Sequence, residues 1–328
     1  MKAWGERQTT LEDVAKAAGV SRATASRVIT GTGPASPVTR DRVRAAVRQL
    51  DYQPNQVARA LANRSGFRLV IAAVGTAPRV LDDPYMHRAV AAAAAAGAPY
   101  GVGASLQWLS RDSPRLDELA EDRSVRGVVL LNTTEATLAA VPSALHGRVV
   151  SIGIGSRTVP SFDVDNGGAA TAILNHLYAT GRRRIAMVTG PQWMPCAWRS
   201  VESYRRLARA AGLPVRLVAG DFSAERGHQA THALLRRWPD TDAVYAVNDA
   251  TALGVLAALR EDGRQVPGDI AVAGFDDIPF AALSSPALTT ASHPVDQIIH
   301  AAATAVLNEA SVPPTVVFPS TLVRRQST

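Results

Sequence analysis

Leu11, Val14, Ala15 and Ala18 recur at i, i+3, i+4 and i+7, and Gly19-Val20-Ser21 then stops the pattern. That spacing makes a short one-faced helix followed by a tight break. Thr10 suits the N-cap, and Asp13 stands three residues on to complete a capping box. Gly19 suits a left-handed C-cap, Val20 a plug between helices, and Ser21 the cap of a second helix running to about Thr30. Along it Ala25, Val28 and Ile29 face inward, while Arg22, Ala23, Ser26 and Arg27 face outward. Gly31 to Pro37 reads as loop. Thr39 is the expected cap of a third helix with Val43, Ala46, Val47 and Leu50 inside. Two short helices around a glycine turn make a helix-turn-helix, whose second helix enters the major groove of DNA. The pattern alone also suits a plain three-helix bundle.

Charge favours the DNA reading. Residues 1–68 hold 12 Lys and Arg against 5 Asp and Glu, and the other 260 residues hold 23 of each. All of the net +7 therefore sits on the head, which points to a polyanion partner at one end only.

The head resembles the lactose-repressor/galactose-repressor (LacI) family of bacterial transcription regulators. Thr10, Asp13, Val14, Ala15, Ala18, Gly19, Val20 and Ser21 match its opening, and Thr24, Ser26, Arg27 and Val28 continue it. Tyr52, Pro54, Asn55, Ala58 and Leu61 match its hinge motif. The resemblance implies base contacts from Arg22, Ala23 and Arg27. It implies phosphate contacts from Thr10, Ser21, Thr24, Ser26, Thr39, Tyr52 and Asn55, and a minor-groove wedge at Leu61. These roles suit the chemistry: arginine bonds guanine in bidentate fashion, helix N-termini favour phosphates, and leucine unstacks base steps. Ala25 and Thr30 depart from the family pattern, which leaves the operator sequence open. Asn55 to Ala62 is too short for a helix that is stable alone, so the expectation is order on DNA and disorder off it.

After the polar linker Asn63–Gly66 the pattern alternates. Strands are expected at Leu69–Val74, Val102–Leu106, Gly127–Leu131, Ile185–Thr189, Val215–Val218, Ala243–Val247 and Ile270–Gly274. Helices are expected at Tyr85–Ala96, Arg115–Asp122, Ala169–Thr180, Val201–Ala211, Ala224–Arg236 and Ala250–Glu261. Alternation of this kind gives parallel sheets covered on both faces, and about ten strands over ~260 residues suggests two lobes. The resemblance extends here too, through Val164-Asp165-Asn166-Gly167-Gly168, Gly220-Asp221-Phe222-Ser223, Ala246-Val247-Asn248-Asp249 and Gly274-Phe275-Asp276-Asp277. It is weakest over Phe67–Ser161.

The expected fold is therefore an all-α helix-turn-helix head plus an α/β body, a two-lobed periplasmic-binding-protein-like effector domain with parallel sheets. The expected boundaries are a DNA-binding head at 1–54, a hinge helix and linker at 55–66, and an effector-binding and dimerisation domain at 67–328. Within that domain lobe 1 takes about 67–161 and 293–318, and lobe 2 about 162–290 and 319–328.

For the effector, the family role of Phe222 is a stacking platform, against core packing. Asn248 and Asp276 lie just past strands, where they either bond sugar hydroxyls or cap helices. The family carries an arginine at the position of Ser200. Arg199 sits one residue early, a turn of ~100° on a helix. Tyr85, Trp108 and Trp193 fall near strand ends or loops and either line the cleft or pack the core.

Enzyme readings lack support. There is no P-loop, and the glycine pairs at Gly101 and Gly153 lack the third glycine of a dinucleotide loop. Cys196 is the only cysteine, so neither a disulfide framework nor a cysteine-rich metal site is expected. His228 and His232 share an i, i+4 spacing but lack the H-E-x-x-H pattern. No cofactor and no metal are expected. The N-terminus shows no hydrophobic signal segment, and the longest apolar runs are too short for a bilayer. The expectation is a cytoplasmic regulator, a repressor in function. Its expected partners are a palindromic operator in double-stranded DNA, a small-molecule carbohydrate effector and a second copy of itself. The alternatives are a regulator of the same fold without a small-molecule effector, and a sugar-binding transport protein.

Overall fold

A computed structural model describes residues 9–31, 33–52 and 67–328, and the chain divides into two compact units, Met1–Ser65 and Gly66–Thr328. The first holds helices α1 (Leu11–Ala18), α2 (Arg22–Thr30) and α3 (Pro37–Gln49). Their contact faces are the apolar stripes of the sequence. Val14, Ala18, Val43 and Ala46 are buried together, with Val20, Val28, Ile29, Val47, Leu50 and Tyr52 packed around them. Thr10 and Asp13 form the capping box: Thr10 Oγ1 accepts from the Asp13 N–H at 3.3 Å, and Asp13 Oδ2 from the Thr10 N–H at 2.9 Å. Gly19 adopts φ 61°, the left-handed conformation a β-carbon disfavours.

One expected cap is corrected. Pro37 pre-sets the first helical φ, so α3 begins two residues before Thr39. Ser36 is the cap, and its hydroxyl accepts from the Thr39 N–H at 3.2 Å.

The body is built on two parallel sheets. In chain order its strands are β1 (Arg68–Gly75), β2 (Gly103–Ser110), β3 (Val125–Leu131), β4 (Val149–Ile152), β5 (Ser161–Val164), β6 (Ile185–Thr189), β7 (Leu217–Ala219), β8 (Ala243–Ala246), β9 (Ala271–Ala273), β10 (Thr290–Ala291), β11 (Thr315–Phe318) and β12 (Leu322–Val323). Between them run α4 (Pro84–Gly97), α5 (Leu116–Glu121), α6 (Glu135–Ala139), α7 (Asn166–Ala179), α8 (Pro195–Ala211), α9 (Ala224–Arg237), α10 (Asp249–Glu261), α11 (Pro279–Leu283) and α12 (Val295–Leu307). The first sheet has the order β11-β5-β4-β3-β1-β2 and the second β7-β6-β8-β9, with β10 and β12 as a separate antiparallel pair. Leu69 through Val74 on β1 are all fully buried, the continuous apolar run that a strand covered on both faces requires.

Some boundaries differ from expectation. Helix α8 starts at Pro195, six residues earlier than the apolar spacing suggests, because Pro195 opens it. Strand β5 keeps the chain in the first sheet through Val164, since Phe162 and Val164 pack into its core. The first lobe thus reaches three residues past the expected 161.

The chain passes between the sheets three times: after β5, at Ser292–Pro294, and between β11 and β12. These passages are bonded to one another. The Asp165 N–H donates to the Phe318 carbonyl at 3.1 Å, and the Ser292 N–H to the Thr321 carbonyl at 2.8 Å.

Candidate functional site

In the head, Ser21 caps α2 by accepting from the Thr24 N–H at 3.1 Å. Arg22, Ala23 and Arg27 are exposed on α2, with Thr24 and Ser26 half-exposed beside them. Thr10 is exposed at the start of α1, and Thr39 and Tyr52 are half-buried. The Arg27 Nε–H donates to the Ala23 carbonyl at 3.3 Å, which holds the side chain along the helix. Asn55 and Leu61 lie outside the described residues. Sequence reasoning missed Arg42. From α3 it donates to the Ala18 carbonyl at 2.5 Å and the Gly19 carbonyl at 3.2 Å, joining the third helix to the turn.

In the body, a cavity of about 580 Å³ lies between the two lobes. Its walls follow strand ends: residues after β1, β3 and β4 on one side, and after β6, β7, β8 and β9 on the other. That is where open parallel sheets bind ligands. Asn132, Phe222 and Asp276 line it with φ values of 59°, 74° and 111°. Such conformations cost about 1–3 kcal/mol each and cluster where function fixes the backbone.

Tyr85, Trp193, Phe222, Asn248 and Asp276 all line this cavity. Asn248 is committed on both sides of its amide. Its oxygen caps α10 by accepting from the Thr251 N–H at 2.9 Å, and its Nδ2 donates to the Phe222 carbonyl at 3.1 Å. Asn248 thus anchors the strained Phe222 backbone. Asp276 caps no helix; α11 begins after Ile278. Its carboxyl meets His293 Nδ1 at 3.0 Å, and the His293 ring lies between Tyr85 and Phe275.

Two expected cleft residues fall elsewhere. Trp108 donates its Nε1–H to the Gly75 carbonyl at 3.2 Å and is not among the cavity walls. Arg199 is paired with Asp163 and faces a separate pocket of about 300 Å³. Ser200, one residue on, faces the main cavity, as the ~100° helical step requires. The residues missed by sequence reasoning are Asp83 and His293. Asp83 reaches the cavity as the cap of α4, accepting from the Tyr85 N–H at 2.9 Å, and His293 reaches it from a passage between lobes.

Burial governs the charge of these groups. Together with the neighbouring Asp276 it pushes Asp83 up to about 7. It also raises Asp276, against the pull of the Arg88 guanidinium, and lowers His293, with Arg88 acting the same way. Burial raises Asp163 more than its Arg199 partner lowers it. Carboxyls that retain protons near neutrality donate as well as accept hydrogen bonds, which suits an uncharged ligand rich in hydroxyls. The buried Tyr85 hydroxyl has no partner among the described residues.

Residues 10–55 match the family described as bacterial regulatory proteins, lacI family, and residues 174–328 match a periplasmic-binding-protein-like domain. The chain is 34% identical over 311 residues to the HTH-type transcriptional regulator CelR of Thermobifida fusca, covering 88% of each. It is 31% identical over 335 residues to the HTH-type transcriptional regulator GalR of Escherichia coli strain K12, covering 97% of this chain and 95% of that one. Among solved structures, it resembles the lac repressor dimer bound to operator and an anti-inducer at TM-score 0.83 and 25% identity, covering 98% of this chain and 99% of that one. It resembles a CelR–cellobiose complex at TM-score 0.68 and 31% identity, covering 98% and 100%. With a helix-turn-helix head, a two-lobed body and these relatives spanning both, the chain belongs to the lacI family of bacterial regulatory proteins and is a DNA-binding transcriptional regulator.

Proposed function

We propose that this regulator is a homodimeric repressor in the cytoplasm, released from or fixed to a palindromic operator by a polyhydroxylated small molecule, a sugar or sugar derivative, bound between the lobes. It acts by binding and carries out no reaction on its ligand. The observation that carries the reading is the interlobe cavity. It puts two aromatic faces, Phe222 and Trp193, beside the carboxyls of Asp83 and Asp276 and the unpartnered Tyr85 hydroxyl. Aromatic faces with a few polar groups are what a sugar's apolar face and hydroxyls need. The 31% identical CelR structure with cellobiose supports the same chemistry.

On the DNA side, the proposed base contacts are Arg22, Ala23 and Arg27. The proposed backbone contacts are Thr10, Ser21, Thr24, Ser26, Thr39, Tyr52 and Asn55, and Leu61 is the proposed wedge. Two heads related by a twofold axis read a palindrome with a spacing set by the dimer.

The test is thermal unfolding with cellobiose, ribose and other saccharides. A ligand at 100 times its Kd adds about 2.7 kcal/mol to the folded state. The ligand that raises the melting temperature is then expected to change the affinity for operator. If no saccharide moves the melting point, the effector reading is wrong and the regulator answers to another class of signal.

A further inference from the structure

We propose that His228, His232 and Glu261 form a binding site for a divalent transition metal, zinc foremost, on the solvent face of α9 and α10. The two histidines sit four residues apart on α9, so they occupy one face of that helix. Glu261 ends α10, which packs alongside. Its Oε2 lies 2.7 Å from His228 Nε2 and 3.7 Å from His232 Nε2. The three ligand atoms lie within 4.8 Å of one another.

Zinc sits about 2.0–2.2 Å from nitrogen and carboxylate ligands, which puts tetrahedral ligand atoms roughly 3.3–3.6 Å apart. The two distances to Glu261 bracket that spacing. The side chains are 34%, 36% and 57% exposed, so small rotations suffice to close the set. The same exposure leaves the fourth position to water. Two imidazoles and one carboxylate favour zinc, copper, nickel or cobalt over magnesium or calcium. The rings already stand edge to face with centroids 4.8 Å apart, gathered around one carboxylate oxygen. The site would tie together two helices that start two residues after Phe222 and one after Asn248, so it bears on the cavity walls without touching them.

The competing occupant is a proton shared between His228 and Glu261. Calorimetric titration of the full chain with ZnCl₂, after dialysis against EDTA, distinguishes the two. The expected result is a saturable isotherm with one zinc per chain, a rise in melting temperature, and reversal by EDTA. His232→Ala and Glu261→Gln each weaken binding by more than the roughly 100-fold that is the upper end of what outer-shell changes alone cost. Absence of saturable binding overturns the proposal, as does an isotherm that neither substitution changes. X-ray absorption of the zinc-loaded wild type decides the matter should a variant fail to fold. Two imidazoles in the shell support the site, and a shell with fewer than two overturns it.

Discussion

The carboxyl of Asp276 and Nδ1 of His293 meet at 3.0 Å where the chain passes between the lobes. Arg88, from α4 of the first lobe, donates to the main-chain carbonyls of both residues, at 3.3 and 3.2 Å. The polar end of the cavity is therefore part of the hinge. A ligand that bonds Asp276 acts, through His293, on one of the passages between the lobes, which gives ligand and lobe angle a shared element to bias.

Asp276→Ala removes that ligand contact and leaves His293 without its partner. The expected outcome is loss of the ligand-induced melting shift and destabilisation of the body by about 1–3 kcal/mol, the cost of an unsatisfied buried group. Operator binding without ligand persists, because the head is a separate unit. A full ligand response in the variant, read by anisotropy of labelled operator, would remove Asp276 from the site.

Titration of Asp83 lowers the stability of the body as pH rises from about 4 to about 7. An aspartate in an unfolded chain titrates near about 3.9, whereas burial lifts Asp83 to about 7. Below pH 4 both states hold the proton, and the group costs the fold nothing. Between about 4 and 7 the unfolded chain gives its proton up first, so stability is progressively lost. Asp83→Asn keeps a cap for α4 and removes the titration. Its melting temperature should vary less between pH 5 and 8 than that of the wild type, and parallel curves would show that Asp83 is not the group responsible.

Arg22→Ala and Arg27→Ala should each cost about 1–3 kcal/mol of operator affinity and relax sequence preference at single base pairs. Affinity should also fall with salt, the log–log slope being about −0.9 for each phosphate neutralised. Uniform weakening on every sequence would move the arginines from bases to backbone.

Arg42→Ala tests the turn of the head. It removes two bonds to the carbonyls of Ala18 and Gly19. The head should lose about 1–3 kcal/mol, as is typical for charge-assisted hydrogen bonds. Unfolding of residues 9–52 followed by circular dichroism measures it, and an unchanged midpoint would mean that solvent replaces the bonds.

Features set by near neighbours are legible in the sequence. The capping box of Thr10 and Asp13, the left-handed Gly19 and the Ser21 cap all depend on residues three or four apart. Phe222, Asn248 and Asp276 are legible because parallel sheets collect ligands where strands end, and each follows a strand. Arg42 is not, since its partners lie 24 and 23 residues away. Nor is His293, whose place depends on a passage between lobes that no local pattern announces. The four-residue strands β4, β5 and β11 are not legible either, although β7, β8 and β9 are as short and fall on expected strands. The Arg199 side chain depends on a buried carboxylate 36 residues earlier.

Arg79 and Glu225 meet at 3.0 Å across the rim of the cavity, from opposite lobes, with side chains 75% and 65% exposed. So exposed a pair contributes at most about 1 kcal/mol. Arg79→Ala is therefore expected to weaken ligand binding less than about fivefold, chiefly through faster release. A larger loss, measured by stopped-flow, would make this pair a true latch.

The three bonded passages between the lobes have a mechanical meaning. A single tether would let one lobe twist and slide on the other. Three straps, laced side by side through Asp165 with Phe318 and Ser292 with Thr321, resist shear and leave bending as the soft motion. One protease cut at any strap would leave the lobes still fastened by two, yet would free the swing from its axis. Such a nicked protein keeps its mass and much of its fold while losing a defined path between open and closed.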